Sequence, residues 1–378
     1  MKTLPSFLLA SAAALALFSC QKQDDQISPP EVGDPINVNL RISGQSSSSR
    51  RVEDPAVAGD VSTLNSGLVF FLNQYDEVVG VRELALPNAA LATTGQTFTG
   101  IKPAASKVYV VGNFMSVQPA IVTNLRAAVN LAAIKALLPF TENQQLGHKN
   151  TILANVLDVT PPYVALDGAI KGAASPYTAQ VLLGPIMSRI QVSDIQCVDP
   201  LVTSFIFKGI YIDNYYPNFS IATDRPGSGT LINIAQTTTG LTSITKLFEE
   251  ASASIVSNQK VVSASQMRPG VASSVWAYQV PSTVAANAVP RIIVQLTNFV
   301  VDPSVTLTSP QFLTVTGFVD QNGVPITKFE AGKVYSIAPG AFTFRIKDLY
   351  PTPNPLNVDV IVKVTVKPWT LVSVLPQL

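Results

Sequence analysis

Apolar and polar residues alternate between Pro35 and Ser43. Ile36, Val38, Leu40 and Ile42 fall on one side of an extended chain, and Asn37, Asn39, Arg41 and Ser43 on the other. Period two predicts a half-buried strand, ended by Gly44 and the serines at 46–49. Short apolar or alternating runs predict further strands at Gly67–Asn73, Val78–Leu84, Lys107–Asn113, Val164–Ile170, Ala179–Leu183 and Met187–Ile195. Later ones fall at Phe205–Tyr211, Ile221, Leu231–Ile234, Val275–Val280, Arg291–Phe299, Phe312–Val319, Val334–Ile337, Phe342–Ile346 and Val358–Lys367. One segment has the other period. From Asn124 to Leu138, the residues Leu125, Val129, Ala132, Ala133, Ala136 and Leu137 recur at helical spacing, and Pro139 stops them. Its polar face lacks the basic residues of a membrane-surface helix, so it is expected to cover the end of a sandwich. The 28 prolines are hostile to a helical protein. Many short strands with turn clusters between them predict a mainly β chain of antiparallel sandwiches.

The last strands carry a second pattern. Val358, Val360, Val362, Val364 and Val366 form an unbroken apolar row, with Asp359, Lys363, Thr365 and Lys367 opposite. Pro368-Trp369 interrupts it, and Thr370 to Leu375, with Leu371 and Val374, starts another strand. This end can pack into its own sheet or serve as a strand for another chain. The second option gains meaning beside Ile36–Ser43. Removing that first strand would open an apolar groove lined by unpaired backbone groups, a template for strand addition. Four apolar side chains at ~1.5–3 kcal/mol each give roughly 6–12 kcal/mol, against ~4–15 kcal/mol lost on association. Ladder hydrogen bonds and the remaining subunit contact must therefore add to the side chains.

The start of the chain reads as an address. Lys2, the apolar run Leu4 to Phe18 and then Leu17-Phe18-Ser19-Cys20 have the form of a lipoprotein signal, with Cys20 as the acylated mature N-terminus. Asp24-Asp25 resembles the export signal of surface lipoproteins in Bacteroidota, or is a solvated tether. Arg50-Arg51 follows the serines as an exposed dibasic site. A cut after Arg50 or after Arg51 would free the chain from both its lipid and its first strand. The expected organisation is a signal at 1–20, tether and propeptide strand at 21–51, and two β domains at 52–199 and 200–378, divided at Asp199-Pro200.

Composition narrows the function. The chain of 378 residues is 47% hydrophobic and only 13% charged, with a formal net charge of +1. It has no basic face for nucleic acid, and no apolar run beyond the signal approaches the ~18 residues of a spanning helix. With Cys20 assigned to the signal, Cys197 has no internal partner and reads as a small buried apolar residue. The single histidine, His148, sits in a polar loop. No zinc spacing, phosphate loop or nucleophile elbow occurs, so no metal, cofactor or catalytic activity is expected. Glu249 and Glu250 are adjacent and would point apart. Tyr211, Tyr215 and Tyr216, with Trp276 and Trp369, are the nearest to an aromatic platform for sugars and read as strand packing.

Taken in order, the signal, the Arg site some thirty residues after Cys20, Lys107–Asn113, Met187–Val192 and Val364–Val372 resemble the fimbrillins, subunits of type V fimbriae in Bacteroidota. The likeness runs along nearly the whole chain. It implies two tandem transthyretin-like β-sandwich domains, lipidation at Cys20, cleavage by an outer-membrane-associated arginine-specific protease and polymerisation by strand exchange. Carried onto this sequence, Ile36–Ser43 is the strand removed, and Val358 to Leu378 is the donor. The partners implied are other fimbrial subunits in a homopolymer, the protease, the outer membrane before cleavage, and receptors on host or bacterial surfaces. The location is the cell outer membrane and then an extracellular fimbrium. A cut site together with a donor strand favours a shaft subunit over an anchor, which should stay uncut and lipidated; a fimbrial tip or anchor subunit is an alternative within the family. A glycan-binding surface lipoprotein is the alternative from another class.

Overall fold

The structure is a computed structural model that describes residues 33–44, 61–64, 66–86, 91, 94–113, 119–137, 139–141, 163–165, 168–172, 175–185, 187–216, 218–220, 225–226, 232, 248–257, 259–264, 275–281, 289–353, 360–368 and 370–372. It is mainly β. The first ten strands are β1 (Ile36–Gly44), β2 (Val61–Thr63), β3 (Gly67–Leu72), β4 (Val78–Glu83), β5 (Gln96–Ile101), β6 (Lys107–Gly112), β7 (Pro139–Thr141), β8 (Tyr163–Ala165), β9 (Gly168–Lys171) and β10 (Tyr177–Pro185). Most join one sheet in the order β4-β3-β6-β8-β10-β1-β5, with β9 pairing to β10 and β6.

This sheet curls until its two ends meet across the core. Phe71 on β3 and Phe98 on β5 pack edge to face with centroids 5.6 Å apart. The Ala85 N–H, just past β4, donates to Gln96 Oε1 at the start of β5 (3.0 Å). One continuous sheet thus supplies both layers around a core that includes Val38, Leu40, Val69, Phe71, Val108, Val110, Val181 and Leu183. The alternate side chains of β3 and β6, namely Leu68, Phe70, Leu72, Tyr109 and Val111, face a second cluster with the helices. With both faces covered, these strands are continuous apolar runs rather than alternating ones.

The expected helix over Asn124–Leu138 is two short ones, α1 (Pro119–Arg126) and α2 (Leu131–Ala136). Between them the backbone is bonded to the β3–β4 connection. The Val78 N–H donates to the Val129 carbonyl (2.9 Å) and the Leu131 N–H to the Asp76 carbonyl (2.9 Å). Asn130 then caps α2, its side chain accepting from the Ala133 N–H (2.8 Å). Val129, counted on the apolar face, is exposed. The helices cover a sheet face instead of the end of a sandwich, packing Leu125 and Ile134 on the β3 and β6 side chains. The expected strand Val164–Ile170 is also two, β8 and β9.

The remaining strands build a second core. They are β11 (Met187–Val192), β12 (Asp194–Cys197), β13 (Val202–Asp213), β14 (Asn218–Ser220), β15 (Arg225–Pro226), β16 (Phe248–Ser257), β17 (Val261–Ser263), β18 (Trp276–Pro281), β19 (Arg291–Val301), β20 (Gln311–Val319), β21 (Lys333–Ile337), β22 (Thr343–Phe344), β23 (Val360–Lys363), β24 (Thr365–Pro368) and β25 (Thr370–Val372). One layer is β16-β13-β19-β20-β23; the other is β18-β11-β21-β24 with β17-β12-β22 beyond it. Trp276 stacks on Phe207 (5.0 Å) between the layers. The run expected as one strand from Met187 to Ile195 is broken at Ser193, where the chain passes from the β11 sheet to the β12 sheet. Side chains of the first core extend up to Leu183, and those of the core built by the later strands start at Ile190. Asp199-Pro200 forms the turn between β12 and β13, and both of these strands contribute to the second core. Val334 of β21, opposite Arg189 of β11, packs with the helices of the first body. That cover buries Arg189 and Gln191, the polar row of β11.

Candidate functional site

The expected removable strand occupies an interior place. β1 runs parallel to β10, with Val38 opposite Tyr177 and Gly44 opposite Leu183. On its other side it runs antiparallel to β5, where Val38 faces Phe98, Asn39 faces Thr97 and Leu40 faces Gln96, with an irregularity between Ile36 and Val38. Val38, Leu40 and Ile42 are buried in the first core, and Ile36 packs partly against it. Three buried aliphatic side chains at ~1.5–3 kcal/mol each are worth roughly 5–9 kcal/mol. The outer face carries polar contacts. Asn39 Nδ2 donates to the Thr94 carbonyl and to Thr97 Oγ1, each at 3.1 Å, and the Asn37 N–H donates to Ser175 Oγ (3.3 Å).

Removing β1 would leave a slot between β10 and β5. β10 keeps its ladders to β8 and β9. β5 ends the sheet, and β1 is its one partner strand in the order of the described residues. This wall is held by side chains instead: Phe98 against Phe71, the buried Ile101, and the Gln96 bond to Ala85. The sequence marks β5 poorly, because Phe98 is its one large apolar residue before Ile101 and Gly100 interrupts the alternation; in the fold Gly100 sits at φ +66°.

The C-terminal row divides. Val360–Lys363 pairs parallel with β20 in one layer, and Thr365–Pro368 pairs antiparallel with β21 in the other. The strand expected to be continuous from Val358 to Lys367 breaks at Val364, whose N–H donates to the Val319 carbonyl (2.9 Å). Crossing between layers lets Val362 and Val364 face the same core. Val366 packs partly against it. β25, which holds Leu371, pairs parallel with β2, setting Leu371 opposite Ser62, and it also runs beside β1. Cys20, Arg50, Arg51, His148, Val358, Trp369 and Val374 lie outside the described residues.

Other candidates have structural surroundings. Cys197 is buried, and burial is the main cause pushing its thiol pKa up. Tyr211 and Tyr215 are buried, Tyr211 donating from its hydroxyl to Gln295 Oε1 (3.2 Å), and Trp276 is fully enclosed. These rings form no open platform for a sugar. Glu249 and Glu250 lie on β16 opposite Ile210 and Gly209.

No family model matches the chain, and no curated protein matches it in sequence. Solved structures do match in fold. A putative cell adhesion protein from Bacteroides eggerthii superposes with a TM-score of 0.55 at 14% identity, covering 90% of this chain and 97% of that one. Another, from Parabacteroides distasonis, gives 0.55 at 13%, covering 91% and 99%. A fimbrilin from Porphyromonas gingivalis gives 0.50 at 13%, covering 89% and 99%. Over nearly its whole length, the chain has the mainly β fold of fimbrilins and putative cell adhesion proteins of these bacteria.

Proposed function

We propose that this chain is a structural subunit of a surface fimbria that mediates adhesion. It is exported as a lipoprotein acylated at Cys20 and cut after Arg50 or Arg51. It then polymerises when β1 is exchanged for a C-terminal strand of the next copy. The observation that carries this reading is β1 itself. It is joined to the rest through the dibasic site, yet it fills an interior place with Val38, Leu40 and Ile42 buried. A strand that packs like core but is separable by one cut leaves a slot of matching length. Val362 and Val364 hold the core of their own body, so the exchanged strand is best drawn from the residues that follow. β25 suits release, because its described ladder partner is the three-residue β2, so few backbone hydrogen bonds hold it in place.

The test is assembly of the purified precursor after treatment with an arginine-specific protease. SDS-resistant ladders are expected from the parent chain, and monomer from the Arg50→Ala/Arg51→Ala double variant. Fully cleaved protein that stays monomeric would overturn the reading.

A further inference from the structure

The apolar row of β1 does not by itself determine where an incoming strand stops. Side chains alternate with period two, so a strand displaced by two residues presents the same kind of row to the same core. A contact on the other face must break that degeneracy, and the outer face of β1 makes one. Asn39 Nδ2 reaches both the Thr94 carbonyl and Thr97 Oγ1. Between these two residues Gly95 sits at φ +79°, where a Cβ would stand 2.6 Å from the Leu40 carbonyl oxygen and 2.7 Å from Asn39 Oδ1. The turn therefore closes directly on the strand at Asn39–Leu40. It is also fixed from behind by contacts that do not involve β1, through Gln96 to Ala85 and Phe98 to Phe71.

We propose that the Thr94 carbonyl, Thr97 Oγ1 and the bare α-carbon of Gly95 form a polar register subsite in the slot. It takes a hydrogen-bond-donating side chain from the strand of a second copy of this chain. The inference rests on the strand-exchange reading and adds to it a position-specific contact. The occupant follows from sequence and burial. Asn39 stands between Val38 and Leu40, so the matching pattern is apolar, donor, apolar. In the C-terminal region it occurs at Val362-Lys363-Val364, Val364-Thr365-Val366, Trp369-Thr370-Leu371 and Val372-Ser373-Val374. The first two contain Val362 and Val364, which are buried in their own body. In the third, a strand running as β1 does with Thr370 at the subsite would bring Pro368 to the place from which the Asn37 N–H donates to Ser175 Oγ, and proline has no N–H to give. Ser373 is the occupant that remains. A slip of two residues in either direction brings Leu371 or Leu375 to the subsite. Neither side chain can donate, and each would set a branched group against the closed turn. The subsite thus disfavours both registers displaced by two residues, adding to the selection made by Val372 and Val374 at the places of Val38 and Leu40.

The experiment uses the cleaved precursor, in which β1 is held without a covalent link. Synthetic peptides of residues 36–44 compete with it for the slot. The Asn39→Ala peptide is expected to compete about five- to tenfold more weakly than the parent, at the low end for two half-exposed hydrogen bonds. In a Thr97→Val protein that gap should shrink to about twofold, because the two changes remove one shared contact. In assembly, Ser373→Ala should slow polymerisation about fivefold and Ser373→Asn should restore it. Equal competition by the parent and Asn39→Ala peptides overturns the subsite while leaving strand exchange intact. A Ser373→Ala variant that assembles at the parent rate overturns Ser373 as its occupant. A parent peptide that never enters the slot counts against strand exchange itself, and the subsite falls with it.

Discussion

Replacing Leu40 by alanine separates a strand that is merely buried from one that is later discarded. Leu40 is fully enclosed in the first core, and truncating a buried leucine costs about 2–5 kcal/mol, most where the site cannot collapse. β1 is bound on both sides, by β10 and by β5, which limits collapse, so about 3 kcal/mol is expected. That is roughly a 150-fold change in the equilibrium that holds β1 in place. In the uncut precursor the loss should appear as a lower denaturant midpoint, read by far-ultraviolet circular dichroism. After the arginine cut the same 150-fold should appear as weaker retention of the released strand, read by mass spectrometry of the peptide eluting with the protein. In the assembled fibre Leu40 is gone, so the variant and the parent should melt together. An uncut variant as stable as its parent would show that Leu40 is not core. A fibre as destabilised as the precursor would show that β1 is never exchanged.

Four further outcomes follow from the same geometry. Val364→Ala, which also empties a core position, should cost about 2 kcal/mol in the precursor and in the fibre alike; a loss confined to one state, by denaturant melts of both, would place Val364 elsewhere in the other. Gly95→Ala should destabilise the precursor by about 1–3 kcal/mol, because alanine is strained at φ +79° and its methyl meets the Leu40 carbonyl; faster amide exchange along β1 is the readout, and unchanged exchange argues against the close approach. Burial raises the Cys197 thiol above the ordinary thiol range, so folding favours the neutral thiol. Its contribution is intact below that range and is lost as pH rises past it; Cys197→Ser should flatten the alkaline limb of stability above about pH 8.5, and an unchanged limb would refute the assignment. Tyr335, pushed up to about 12 chiefly by burial, likewise stabilises the fold below pH 10 and loses that contribution above it; an ultraviolet titration step near pH 12 should vanish in Tyr335→Phe.

Much of this was legible in the chain as written. Period two over 36–43 marked β1 and its inward row, because a strand with one face on a core must alternate. Pro and Gly spacing marked a mainly β protein, since each strand needs a turn whose chemistry is local. Other features were decided only when distant segments met. The helix expected from Asn124 to Leu138 broke because backbone at 129–131 found partners at Asp76 and Val78, and helical spacing carries no information about such partners. The valine row bent at Val364 because two layers of one core compete for it, while alternation reports a face and not which sheet supplies it. The slot itself belongs wholly to tertiary structure. β10 and β5 come from opposite sides of the sequence around β6, and β5 is held by a ring packed on β3 and a glutamine bonded past β4. A strand's period is a property of its own residues, but what lies on either side of it is set by the folding of the whole chain.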